Sequence, residues 1–195
     1  MYLFGASGHA KVIIDTLRLT GHEVKGFYDD DPSKEALWEI PVLGKTEDYN
    51  ADLGSAIIAI GNNAIRKDVA QRVAGNFGMA IHPDAFISPT VILKEGTVVM
   101  AGAIINADAE IGRHCIINTA SSIDHDCQIG DYVHIAPNAS LCGGITVGEG
   151  TLIGAGATIC PNLVIGKWSV IGAGSVVIAN VPDNTVVVGN PAKML

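Results

Sequence analysis

The sequence predicts two unlike parts: a small parallel α/β unit over residues 1–80, then a solenoid of short parallel strands over residues 81–195 that ends in a short tail. Three observations carry this reading. Aliphatic residues recur at every sixth position from Ile81 to Val177, the first 80 residues alternate strand-like and helix-like runs, and 48% apolar content is joined to only 5% aromatics and 23 glycines. A compact core of this size normally draws much of its buried area from aromatic rings. A narrow interior that takes one aliphatic and one small side chain per repeat explains their shortage, because rings would overfill it.

The α/β part reads in order along the chain. Tyr2-Leu3-Phe4 is a short strand, Gly5-Ala6-Ser7-Gly8-His9 a tight loop, and Lys11 to Leu19 a helix with Val12, Ile13, Leu17 and Leu19 set among polar residues. A strand near Glu23 to Tyr28 follows, then a polar stretch to about Asn50, a buried strand over 56–60, and a helix from about Ala64 to Ala74. That alternation is the order of a small Rossmann-like βαβ unit with a parallel sheet.

From Ile81 the period becomes six. Seventeen consecutive hexad anchors, among them Ile105, Ile111, Ile117, Ile123, Ile129 and Ile135, are aliphatic without an insertion. With about a quarter of the chain Ile, Leu or Val, chance yields such a run with probability on the order of 10⁻¹⁰, so the repeat is internal structure. Four places after most anchors stands a small residue, as at Ala103, Ala109, Cys115, Ser121, Cys127, Ala139, Ala157 and Ser175. One large and one small side chain per hexad point inward, and the residues between them turn the chain onto the next flat face. Three hexads per coil give between five and six coils, roughly 27 Å long at the spacing of stacked strands. Cys115 and Cys127 fall in the small inward slot and read as packing residues.

Composition also excludes functions. A net charge of -8 provides no basic face for nucleic acid. No apolar run approaches the roughly 20 residues needed to span a bilayer, and Met1-Tyr2-Leu3-Phe4 lacks the basic lead of a signal segment. Cys115, Cys127, Cys142 and Cys160 form no C-x-x-C pair, and no His, Cys, Asp or Glu cluster has ligand spacing. The expectation is a cytoplasmic protein with four free thiols and no metal.

The loop Gly5-Ala6-Ser7-Gly8-His9 leaves a strand and opens a helix, so its backbone N–H groups and the helix dipole suit a phosphate. Asp29-Asp30, closing the second strand, offers carboxylates to a ribose or base. An NAD-type half-domain is one reading. The chain lacks the full G-x-G-x-x-G and has half the usual dinucleotide unit, which suits a nucleoside-diphosphate sugar better.

The hexads resemble those of the hexapeptide acyltransferases, whose left-handed parallel β-helix works as a homotrimer. Adding Gly5-Ala6-Ser7-Gly8-His9, Asp29-Asp30, Ile60-Gly61-Asn62-Asn63 with Arg66-Lys67, Asn118-Thr119, Ser121-Ser122, Asp124-His125-Asp126-Cys127 and the closing Gly189-Asn190-Pro191-Ala192-Lys193 narrows the resemblance. Together these are similar to the sialic-acid O-acetyltransferase family, which also holds N-acetyltransferases of nucleotide-linked 4-amino-deoxysugars. The likeness covers essentially the whole chain.

The resemblance implies an acetyl-CoA-dependent enzyme of glycan biosynthesis, with its active sites between subunits. It casts His125 as general base: acetyl transfer from a thioester to an amine needs a base near neutrality to take the amine proton. It casts Asp126 as the carboxylate that orients the imidazole, where the family more often has Glu. By the same resemblance His134, Gly143, Ala155, Ala173, Pro191 and Lys193 meet the coenzyme. Ser7, Gly8, His9, Asp29, Asp30, Gly61 and Asn118 meet the nucleotide sugar, with a UDP-linked 4-amino-4,6-dideoxysugar as the expected type. Residues 81–195 hold only Lys94, Arg113, Lys167 and Lys193 as cations, so CoA phosphates are expected to meet backbone N–H groups. His82 and His114 have no such context and are expected at the surface. Two other readings stand beside N-acetylation: O-acetylation of sialic acid or another sugar, and a non-catalytic trimeric scaffold that binds sugar nucleotides.

Overall fold

The computed structural model describes residues 1–195. Its first part is a five-stranded sheet built from β1 (Tyr2–Phe4), β2 (Gly26–Tyr28), β3 (Ala36–Leu37), β4 (Ile40–Gly44) and β5 (Ala56–Ile58), in the order β3-β4-β2-β1-β5. The pairs β1–β2, β1–β5 and β2–β4 are parallel. Two helices, α1 (Gly8–Leu19) and α2 (Asn63–Arg72), complete it. Helix α1 starts three residues before the apolar pattern begins, because extended Ser7 takes the cap position directly after the loop. The stretch expected to be merely polar holds the antiparallel hairpin β3–β4. Pro41 and the flanking charges obscure it in the sequence, and β4, which carries the proline, lies between β3 and β2.

From Ala80 the chain winds into a parallel β-helix. Through Val177 every strand pairs with the strand 18 residues away, as in Ile105↔Ile123 and Ile117↔Ile135, so three hexads make one coil. The anchors from Val99 to Val177 form one buried cluster with Ala103, Ala109, Cys115, Cys127, Ala139 and Ala157. Ile81, Ile87 and Leu93 are only partly buried, since the first coil has no coil beneath it. Cys115 and Cys127 are fully buried, as the small-slot pattern predicts, and burial pushes the Cys115 thiol up to about 12.

The prism has three faces. Outward residues of the first include Ile104, Ser122, Ser140 and Thr158; of the second, Glu110, Gln128 and Thr146; of the third, Val98, Ile116, His134, Leu152 and Val170. The α/β part sits on the third face, where Ile13, Ile14 and Leu17 of α1 join Val98, Met100 and Ile116 in one buried cluster. Hiding each such side chain contributes about 1.5–3 kcal/mol, enough to fix the two parts together. This packing overturns the surface placement of His114, which is 3% exposed. Its ring lies flat on Tyr132 at 5.4 Å and edge-on to Phe77 at 4.5 Å. The reason is that the 60–78 segment covers this corner of the prism. His82 is half-buried, its Nδ1 accepting from the Asp84 N–H at 3.1 Å.

Candidate active site

His125 stands on the corner that joins the first face to the second. Asp124 fixes its backbone: one carboxylate oxygen accepts the His125 N–H at 2.8 Å and the Asn106 side-chain amide at 3.0 Å. The imidazole Nδ1 meets Asp126 Oδ2 at 2.7 Å, so the shorter acid reaches the ring. It does so because Asp126 takes a left-handed turn, φ 60°, that swings its side chain back beside its neighbour. The Asp126 hydrogen bond, with the charge of Asp124 behind it, raises the pKa of His125 above its ordinary value. With Nδ1–H on a carboxylate, Nε2 carries the lone pair and faces solvent. In the next coil Gly143 lies directly under the ring. A Cβ there would come within 2.6 Å of Cε1 and 2.7 Å of Nε2.

The loop after β1 is tied down by the acidic pair. Asp29 accepts the Ala6 N–H at 2.7 Å, the Lys34 ammonium at 3.0 Å and the Asp31 N–H at 3.0 Å. Asp30 accepts from the Thr46 N–H at 2.8 Å and from Arg72 at 3.1 Å, and these bonds hold its pKa below the usual carboxylate range despite some burial. Gly5, at φ +92°, has Ile60 Cγ1 2.8 Å from where a Cβ would be, so only glycine fits. Ser7 caps α1 without a side-chain hydrogen bond, which leaves its hydroxyl and the first amides of the helix at the mouth of a cavity of about 240 Å³. Asp29, Asp30, Lys34, Thr46 and Arg72 line it. Sequence reasoning missed Lys34 and Arg72, whose place becomes visible only once the 29–46 hairpin is folded.

A second cavity, about 330 Å³, opens where the α/β part meets the third face, between Gly61, Asn62, Asn63, His134 and Trp168. Asn118 Oδ1 accepts the Thr119 N–H at 2.8 Å, which turns its amide nitrogen toward His134 Nε2 at 3.1 Å. Asn118 is therefore committed to His134. Burial first, then the charge of Arg66, pushes His134 down to about 4, and the same two causes push His9 down to about 4. The largest groove, about 540 Å³ between Arg18, Lys25 and Pro41, touches none of these residues.

The sequence-predicted residues thus fall at five places in one chain. Ser7, Asp29 and Asp30 line the first cavity and Gly8 follows Ser7 at the start of α1, while His9, Gly61, Asn118 and His134 gather where the two parts meet. His125, Asp126 and Gly143 share one corner, opposite the third face. Ala155 and Ala173 are exposed on the corner that joins the third face to the first. Pro191 and Lys193 lie on the exposed tail, which returns antiparallel along Val186–Val188. His125 and His134 therefore lie on opposite sides of the prism. Asn106 was also missed, although its position 18 residues before Asp124 places it one coil away.

A parallel β-helix bearing a His–Asp pair at a coil corner, with an α/β unit on one face, defines a hexapeptide-type transferase. The comparisons agree. Residues 1–73 match the PglD N-terminal domain, and residues 108–143 and 144–179 match the bacterial transferase hexapeptide (six repeats). The crystal structure of a histidine-to-asparagine mutant of perosamine N-acetyltransferase from Caulobacter crescentus, in complex with CoA and GDP-perosamine, is 39% identical. That likeness covers 100% of this chain and 95% of that one, with a TM-score of 0.95. The acetyltransferase domain of PglB from Neisseria gonorrhoeae, in complex with acetyl coenzyme A, is 34% identical over 100% of this chain and 98% of that one, TM-score 0.92. A 48-residue stretch is 49% identical to UDP-N-acetylbacillosamine N-acetyltransferase of Bacillus subtilis, covering 23% of this chain and 22% of that protein. A 120-residue stretch is 33% identical to an uncharacterized protein of Acanthamoeba polyphaga mimivirus, covering 60% of this chain and 24% of that protein. The chain thus spans about a quarter of the length of these curated relatives. It belongs to the PglD-type hexapeptide acetyltransferase family. No helix is long and apolar enough to cross a membrane.

Proposed function

We propose that the chain is an acetyl-CoA-dependent N-acetyltransferase acting on a nucleotide-linked 4-amino-4,6-dideoxysugar. Residues 1–80 hold the sugar nucleotide and residues 81–195 carry out acyl transfer. The observation that carries this is the His125–Asp126 pair over Gly143, an exposed imidazole with one nitrogen held by a carboxylate and the other free. The relatives crystallised with CoA and GDP-perosamine, or with acetyl coenzyme A, support the same substrates here.

Acetyl-CoA supplies the activated acyl carbon, which reaches His125 from the exposed side of the ring. His125 Nε2 takes the proton from the sugar amine as nitrogen bonds to the carbonyl carbon. Asp126 stabilises the imidazolium. As the carbon–sulfur bond breaks, the proton passes to the departing thiolate, so His125 is neutral again at the end of the turnover. The loop amides and Ser7 take the diphosphate, with Lys34 and Arg72 as the nearest cations.

Because His125 and His134 lie on opposite sides of one prism, the coenzyme contact of His134 belongs to a site completed by a second copy. A homotrimer with active sites between subunits is the assembly we propose, since it would bring the His134 face of one copy to the His125 corner of the next. The test is His125→Ala. Turnover is expected to fall by about 10²–10⁴-fold while the trimer persists by light scattering, and near-normal kcat in this variant contradicts the assignment.

A further inference from the structure

Arg66, in α2, is one of the largest fully buried side chains, 1% exposed. Its five N–H donors are all used: Nε on the His114 carbonyl at 2.8 Å, Nη1 on the carbonyls of Ile60 at 2.9 Å and Gly61 at 3.2 Å, Nη2 on Asn63 Oδ1 at 2.7 Å and the Tyr132 carbonyl at 2.8 Å. None of these partners is a carboxylate. A buried charge held only by neutral dipoles is costly, and a pure fastener between the two parts had a cheaper form at hand, since Lys67 and Glu149 make an ion pair across the same junction. The partners are also selective. Three come from the Ile60–Asn63 loop, and two from successive coils, at His114 and Tyr132.

The loop that Arg66 grips also holds His134. With Asn118 donating to Nε2, the remaining ring proton is on Nδ1, and Gly61 lines the same cavity as the ring. Gly61 is thus both an acceptor for the guanidinium and a wall of the imidazole's cavity, and the Thr151 carbonyl, which accepts the His134 N–H at 3.0 Å, ties that residue to the same loop. Asn63 extends the contact by donating its amide to the carbonyls of Gly150 and Thr151 at 3.0 and 3.2 Å.

We propose that Arg66 is a positioning residue for the active site: it clamps the Ile60–Asn63 loop onto two coils and so holds the His134 ring in a single orientation against Asn118, in the tautomer that carries Nδ1–H. Its role in turnover rests on the function proposed above; its effect on the His134 ring does not. The charged and titratable groups that bear on His134 are Arg66 from α2 and His9 from α1, and both act against its protonation. Arg66 thus adds its field to burial in keeping the imidazole neutral, and only a neutral ring accepts from Asn118 at Nε2.

The test is ¹⁵N imidazole NMR of the full chain, with His134 assigned by His134→Gln. In the wild type His134 is expected as one neutral Nδ1–H tautomer down to at least pH 5. In Arg66→Met its titration midpoint should move up from about 4 toward the ordinary value, stopping short of it because burial is the larger cause, and the tautomers should mix. Arg66→Lys keeps the charge but has fewer donors, so its midpoint should stay low while the tautomers mix. A folded Arg66→Met with His134 unchanged in both respects overturns the proposal. If neither variant folds, the wild type decides: Arg66 guanidinium protons held by five carbonyl-type acceptors should exchange slowly and resonate separately, and averaged, fast-exchanging signals overturn the clamp. In turnover, Arg66→Lys should raise KM for acetyl-CoA more than it lowers kcat. If the NMR changes appear without any acetyl transfer in the wild type, the proposed function fails and the clamp stands.

Discussion

Replacing Gly143 with alanine tests the geometry of the base without touching the base itself. The backbone at 143 is not left-handed, so alanine adds no strain there, but its Cβ would lie 2.6 Å from His125 Cε1 and 2.7 Å from Nε2. Ordinary contact needs about 3.4 Å or more. The ring is exposed and has only the Asp126 contact holding it, so it yields, moving by roughly 1 Å and stretching the 2.7 Å bond. A displacement of that size at a reacting group costs about 10²-fold, or about 3 kcal/mol of barrier. The assay is release of free CoA from acetyl-CoA with a nucleotide-linked amino sugar as acceptor, together with a thermal melt. Gly143→Ala should lose about a hundredfold in kcat and keep its melting temperature within a few degrees. Loss confined to KM for acetyl-CoA would mean that Gly143 serves the coenzyme and not the ring. Activity within threefold of wild type on both parameters refutes the reasoning.

Asp126→Asn preserves the left-handed turn, which Asn tolerates, and removes the charge on Nδ1. The acid limb of kcat/KM should move to lower pH, because Asp126 is the main cause that raises His125, and kcat should fall tenfold or more; an unmoved limb contradicts the pairing. His9, His114 and His134 are all pushed down to about 4 in the fold. The unfolded chain therefore binds protons between about pH 6.5 and 4 that the folded chain does not, so stability is full above that window and falls through it. The loss is on the order of 3 kcal/mol for each ring, and a melting temperature that stays flat from pH 7 to 5 would contradict it. Ile135→Ala empties an inward anchor that is wholly buried. It should cost about 2–5 kcal/mol by denaturant titration, whereas Thr158→Ala on the outer first face should cost well under 1.

The solenoid is legible because its period and its packing are the same fact. Each hexad anchor has one geometric destiny, and Val99, Ile117 and Ile153 all arrive there. His125 and Asp126 were readable for a different reason: they stand in the Asp124-His125-Asp126-Cys127 motif that carries the family resemblance, and the 18-residue stacking then puts Gly143 beneath the ring. The hairpin at 36–44 was hidden because Pro41 and its charged flanks mask the alternation along β4. Arg66 was quoted in the motif but given no role, since a charged residue in a short polar helix reads as solvent-facing. Its burial depends on the docking of α2 onto carbonyls of two coils more than 40 residues away, which no local pattern encodes. The same docking buried His114 against expectation.

The central claim is that acetyl moves from the coenzyme to a sugar amine. Incubating the chain with acetyl-CoA and a panel of UDP-, GDP- and TDP-linked 4-amino-4,6-dideoxysugars, then reading the products by mass spectrometry before and after mild base, tests it directly. The account predicts one nucleotide sugar that gains a single acetyl group, keeps it through base as an amide, and forms at least a hundredfold more slowly with His125→Ala. A base-labile acetyl group, or no acetylated product from any member of the panel, would contradict it.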